Sequence, residues 1–289
     1  MQSQHNTDLV AQFRERYIKE ELPAYLYHYA PIEGFKGIID SKEIWATVAA
    51  YIASDPTELT IAKDIALEIL EEEKGRFDGR DELNVFCKNK IENSDHSNES
   101  KCICSFTEEK DLLSQWRAYC PKGGVSLCFD TKAFVQEIDL SSPPTINEQY
   151  LYKCIYEREQ QKKTMRDLFE FLLKQPSPST PRERGKLESF LSKMIQTFSY
   201  SFKHASFKEE KEWRLCYFPT DESIRHRTKG SMQIPYISFS IEPAIHSVMI
   251  GPSRDKGNLG KSVMSYLKTS NLPDVSQRVE VTQTPYHPL

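Results

Sequence analysis

Apolar residues in this chain keep two periods, and the two periods come in blocks. Every second residue is apolar or aromatic in EWRLCYF (212–218), which puts Trp213, Leu215 and Tyr217 on one side of an extended chain and Glu212, Arg214 and Cys216 on the other. A spacing of three and four governs DLVAQFRERYIKEE (8–21), where Leu9, Val10, Phe13, Tyr17 and Ile18 form one stripe. Strand-like runs then follow one another at 212–218, 233–240, 245–250 and 278–284, with a single helix of 257–269 among them. Blocks of this kind argue against regular strand–helix alternation. They predict an α+β fold of about nine strands and six helices.

The other elements follow from the same two periods. YLYHYAPIEGFKGIIDSKEIWAT reads as a strand at 25–29, a helix at 31–40 with Pro31 at its start, and a strand at 43–47. A helix is expected over 57–74, ending at Gly75, and a surface loop over 88–100. KCICSFT, DLLSQWRAYC and GGVSLCFD form a strand–helix–strand unit, and QYLYKCIYE adds a strand. Helices at 157–174 and 182–203 flank QPSPSTP (175–181), whose three prolines cannot sit inside a helix. We therefore expect one domain over 1–289, with an N-terminal packing helix in 1–22 and a helical insertion in 157–204 carrying a Pro-rich linker.

Composition excludes several classes. With 38% hydrophobic and 28% charged residues and a net charge of -4, the chain reads as soluble and globular, and its bulk charge gives no sign of nucleic-acid binding. No stretch approaches the roughly 18 apolar residues that span a bilayer, and the N-terminus lacks the apolar core of a signal peptide. These features predict a cytoplasmic protein with no membrane partner. The seven cysteines (87, 102, 104, 120, 128, 154 and 216) form no CxxC pair and mostly lie in apolar runs, so they read as reduced core side chains. The histidines never fall at ligand spacing, and no metal is expected.

Chemistry concentrates in a few stretches. FKEEKEWRL puts Glu210 on the same side as Glu212 if the strand starts early enough, beside Arg214. Such a face is either solvent or the wall of a cleft. His28 stands between Tyr27 and Tyr29 and points away from both in a strand. Ser105, Trp116, Arg117 and Tyr119 gather around a strand end and the next helix, with Trp116 most simply core and Tyr119 suited to lining a pocket.

Taken in order, LYHYAPIEGFKGIIDSKEIWAT, ASDPTEL, SFTEEKDLLSQWRAY, GVSLCFD, FKEEKEWRL and IGPS resemble the bacterial domain-of-unknown-function 2971 family over residues 25–284. A histidine on the first strand, a strand–helix–strand unit and a Glu-x-Glu at the head of a late strand are also similar to the ADP-ribosyltransferase superfamily. That second resemblance implies a split β-sheet core with flanking helices and an NAD-consuming glycosyltransferase, a toxin or phage-defence effector. Its acceptor would be a protein or nucleic acid, and an antitoxin or regulator would be its partner. It implies Glu212 as the catalytic glutamate, assisted by His28 and Glu210, with NAD as substrate held by His28, Tyr29, Ser105, Trp116, Tyr119 and Arg214. Cleaving the nicotinamide–ribose bond develops positive charge on the ribose, which a carboxylate stabilises without a metal. No GxGxxG turn is present or required.

Two other classes compete. One keeps the fold and cleft as a binding or regulatory module without chemistry. The other is a metal-independent nuclease using His28, His204 and Glu212, with RHRTK (225–229) on phosphate, although that cluster reads more simply as a solvated loop.

Overall fold

The computed structural model describes residues 9–17, 21–51, 60–73, 81–92, 101–140, 150–217, 223–241 and 244–285. In chain order its elements begin α1 (Leu9–Tyr17), β1 (Tyr25–Pro31), α2 (Ile32–Ser41), β2 (Glu43–Val48), α3 (Ile61–Glu72) and α4 (Asp81–Glu92). Next come β3 (Cys102–Thr107), α5 (Leu113–Tyr119), β4 (Gly124–Asp130), α6 (Thr131–Leu140), β5 (Tyr150–Lys153), α7 (Arg158–Leu173) and α8 (Pro181–Ser201). The chain ends with β6 (Glu212–Tyr217), β7 (Arg225–Lys229), β8 (Met232–Ser240), β9 (Ile245–Ile250), α9 (Lys256–Thr269), α10 (Pro273–Ser276) and β10 (Val279–Val281). The fold is mixed, with several helices and a central mixed sheet. No helix among the described residues is long and apolar enough to cross a membrane.

The chain divides into two compact units. One gathers residues 1–21, 53–97 and 154–208, and its described elements are all helical: α1, α3, α4, α7 and α8. Its core is built from their apolar stripes, with Phe13, Ile65, Ile69, Leu168, Met194 and Phe198 buried together. The segment 157–204 therefore shares a core with the N-terminal helix and with residues 61–92. The Pro-rich linker sets where α8 starts. The Thr180 hydroxyl accepts from Glu183 N at 3.2 Å, the Glu183 carboxylate accepts from Thr180 N at 3.2 Å, and Pro181 takes the first helical position.

The other unit, residues 22–52, 98–153 and 209–289, holds the ten described strands in one sheet. The main ladder runs β10-β9-β4-β1-β3-β2-β8-β7, antiparallel except for the parallel β9–β10 pair. The sheet forks at β3. One edge of β3 meets β6 along its whole length, from Cys102 opposite Tyr217 to Thr107 opposite Glu212. The other edge is shared, with β2 at Cys102 and Ile103 and β1 at Thr107 alone. β6 continues outward to β5.

Alternation assigns the sheet's two faces. Leu26, Cys104, Phe106, Leu127, Trp213, Leu215 and Val248 point into one core with Phe35 and Ile39 of α2, Phe134 of α6 and Val263 and Leu267 of α9. The opposite face carries Tyr25, Tyr27, Ser105, Thr107, Glu212 and Arg214, as the registers of β1, β3 and β6 require.

Several elements depart from the sequence reading. Residues 88–92, expected as loop, end helix α4, where Cys87 and Ile91 are buried one turn apart; residues 93–100 lie outside the described residues. The helix expected over 57–74 is described over Ile61–Glu72, and its ends fall largely outside. Helix α6 adds to the sequence reading, and among its described side chains Thr131 and Phe134 are buried. RHRTK is strand β7, not a loop: at the end of the described ladder it is mostly exposed, so it needs no apolar alternation.

Candidate functional site

Strand β6 brings Glu212 and Arg214 to one face two residues apart, and they bind each other. Arg214 donates from Nε to Glu212 Oε1 at 2.8 Å and from Nη2 to Oε2 at 3.1 Å, a bidentate pair. Both residues are only 5% exposed. Thr107 stands opposite Glu212, and Ser105 and the buried Tyr152 stand opposite Arg214. The face expected to be solvent or a cleft wall is therefore buried around its charges. Its reverse behaves as the alternation required: Trp213 is fully buried, and its Nε1 donates to Glu108 at 2.8 Å.

Glu210 does not share this face. Residues Ala205–Glu210 form a 3-10 helix, and Lys211 adopts a positive φ of 40°, which turns the chain before β6 begins. The Glu210 backbone carbonyl accepts from the Thr107 hydroxyl at 2.5 Å, fixing that turn to β3. The expected Glu-x-Glu on one strand face is thereby divided between a turn and a strand.

His28 lies on the other face of the sheet. Tyr27 pairs with Thr107, which pairs with Glu212, so those three residues face one way and His28 faces the other. Its ring lies 5.7 Å from that of Phe106, on the core side. Its Nδ1 is 2.9 Å from the Ser105 carbonyl, close to where β1 and β3 part. Drawn as the Nδ1–H tautomer, His28 closes a gap in the β1–β3 ladder and satisfies a backbone acceptor there. Burial lowers the imidazole pKa, against the opposing pull of this hydrogen bond.

The aromatic candidates are structural in their contacts. The Tyr29 hydroxyl donates to the Glu109 carbonyl and accepts from Leu112 N, both at 2.8 Å, holding the turn that launches α5. Its ring meets Trp116 edge-on at 4.5 Å. Trp116 is fully buried, donates from Nε1 to Asp111 at 2.7 Å, and lies so close to Gly251 that a Cβ there would fall 2.5 Å from the indole. Tyr119, at the end of α5, is 49% exposed. In the nuclease set, His204 belongs to the helical unit while His28 and Glu212 belong to the sheet unit. Arg225 and Arg227 of RHRTK engage Glu43 and Thr47.

The structure thus brings Glu212 to Arg214, His28 to the Ser105 carbonyl, and Tyr29 to Trp116 on the neighbouring strands β6, β3 and β1 and helix α5. The donor of His28 is directed to a carbonyl, the carboxylate of Glu212 is held by a guanidinium, and the two sit on opposite faces. Among the described residues no group of three or more His, Cys, Asp and Glu comes together as metal ligands would.

Sequence reasoning missed the acids that anchor the two tryptophans. Glu108 accepts from Trp213 and pairs with Lys153 at 2.7 Å; Asp111 accepts from Trp116, from Thr282 at 2.5 Å and from Thr284 at 3.0 Å. Burial opposes ionisation at both, yet the hydrogen bonds from these partners hold both carboxyls below their usual range. The signal was EEKD directly after a strand, but its partners lie up to 173 residues away.

No curated protein and no solved structure matches the chain. A family described as "Protein of unknown function (DUF2971)" matches residues 115–215, which include Trp116, Tyr119, Glu212 and Arg214 but not His28, Tyr29 or Ser105. Over that segment, from α5 into β6, the chain is similar to a family whose description assigns no activity.

Proposed function

We propose that the chain is a binding or regulatory module built on a split sheet of the ADP-ribosyltransferase kind, and that it does not consume NAD. The likeness in fold is supported by the edge of β3 that β1 and β2 share. The reading against chemistry rests on one observation, the bidentate Glu212–Arg214 pair. A transferase glutamate accelerates the reaction by meeting positive charge that appears only in the transition state. A carboxylate already neutralised by a guanidinium at 2.8 Å gains little as that charge develops.

The test is release of nicotinamide from labelled NAD by the full chain, with and without protein and nucleic-acid acceptors. The expected result is no release above the protein-free rate, for wild type and Glu212→Gln alike. Release by wild type that Glu212→Gln abolishes would overturn the reading and establish ADP-ribosyl transfer.

A further inference from the structure

On the same face as Glu212, across β3, the strands β1, β4 and β9 surround a cavity of about 150 Å³. Its volume is that of a pocket able to hold one benzene-sized ring. Alternate residues of adjacent strands reach it: Tyr25 and Tyr27 from β1, Ser126 and Cys128 from β4, Ser247 from β9. The Tyr25 ring lies 4.6 Å from that of His246, so one wall is aromatic. Lys110 and Glu280 also line it and pair with each other at 3.1 Å.

Ser126 supplies a second, independent observation. It is fully buried, and its hydroxyl makes no hydrogen bond of good geometry. The polar group beside it is the Tyr29 hydroxyl, which donates to the Glu109 carbonyl and accepts from Leu112 N, and the contact between Ser126 and Tyr29 falls outside good hydrogen-bond geometry. A buried hydroxyl without a good partner costs about 1–3 kcal/mol. A ligand able to bond it would recover much of that.

We propose that this cavity is a binding site for a neutral, planar heterocycle with hydrogen-bonding edges, the class to which the nucleobases belong. Size limits the bound group to one ring. The aromatic wall favours a flat ligand, because stacking on aromatic side chains contributes about 1–3 kcal/mol per base. Serine hydroxyls donate and accept, matching exocyclic amino and carbonyl groups. Apart from His246, whose Nδ1 lies 3.5 Å from Arg278 Nη1, the lining carries no unbalanced charge. Burial raises the pKa of the Tyr27 phenol and of the Cys128 thiol, so both stay neutral, and the Lys110–Glu280 pair leaves no net charge between its two members. The assignment gives the binding module its ligand class and rests on that reading, but the two fail separately. Nicotinamide release would overturn the module without emptying this cavity.

The experiment is saturation-transfer NMR and titration of the full chain with cytidine, uridine and nicotinamide. Cyclohexanecarboxamide serves as a non-planar amide and inorganic phosphate as an anion. A planar probe is expected to bind more tightly than either control. Ser126→Ala should weaken it about tenfold, the worth of one hydrogen bond, with Tm unchanged or raised because an unsatisfied hydroxyl is gone. Tyr25→Ala should weaken it as well. Tighter binding of a nucleoside than of nicotinamide supports a nucleobase. Tighter nicotinamide supports a planar heterocycle other than a nucleobase, while no planar binder at millimolar concentration, displacement by phosphate, or affinity untouched by both substitutions would each overturn the proposal.

Discussion

Across β3, one face of the sheet is built in two ways. On the β6 side, Glu212 and Arg214 are each 5% exposed and sealed against one another. On the β1–β4–β9 side the same face holds a cavity, and its ion pair, Lys110–Glu280, has side chains 54% and 58% exposed. The pair that looked catalytic from its residue types sits where solvent is excluded. The pair that attracted no attention sits beside open volume. Carboxylates alone do not identify a site: what matters is whether their charge remains available to a ligand.

The largest effect expected from this comparison is on stability. Removing one member of a buried ion pair leaves the other charged in a dry environment, at a cost of about 3–5 kcal/mol. Glu212→Ala should therefore lower the urea midpoint sharply, with Arg214 left uncompensated. The double variant Glu212→Met with Arg214→Met should recover much of the loss, since apolar residues of similar volume tolerate burial. A Glu212→Ala midpoint equal to wild type would mean that the face opens in solution, and the contrast between the two sides would fall.

A smaller effect belongs to His28, where the two sides part. His28→Leu removes the donor to the Ser105 carbonyl and should cost about 1–3 kcal/mol. The pH dependence has a definite sign. The folded imidazole has its pKa lowered from 6.5, so on descending through 6.5 the unfolded chain binds a proton that the folded chain refuses. Stability due to this group is complete above pH 6.5 and declines below it, until the folded pKa is reached. His28→Gln keeps a donor and removes the titration, so its urea midpoint should change less than that of wild type between pH 7 and 5.5. Parallel curves would remove His28 from the acid response.

How much of this was legible differs from residue to residue. EWRLCYF gave the faces of β6 correctly because alternation is local, and LYHYA likewise separated His28 from Tyr27 and Tyr29. What covers the second face is not local, so Glu212 read as a wall residue and proved buried. The Glu-x-Glu failed at Lys211, a non-glycine residue with positive φ, which no propensity announces. β7 was missed because a sheet-edge strand need not be apolar. The cavity was invisible for a different reason: Tyr27, Cys128 and Ser247 meet only through the registers of β1 with β4 and of β4 with β9.

The smallest expected effect tests the open side directly. Lys110 and Glu280 form an exposed pair between side chains that water already solvates, and such pairs contribute about 0–1 kcal/mol. Lys110→Ala should therefore leave the urea midpoint within that range of wild type, and whatever change occurs should shrink as salt is raised, since screening weakens exposed pairs. Unlike Glu212, Glu280 can be satisfied by water when its partner is removed. A double-mutant cycle with Glu280→Gln isolates the coupling between the two. A coupling of several kcal/mol would show that this pair is as enclosed as Glu212–Arg214, and that the two sides of the fork do not differ in the way their exposures indicate.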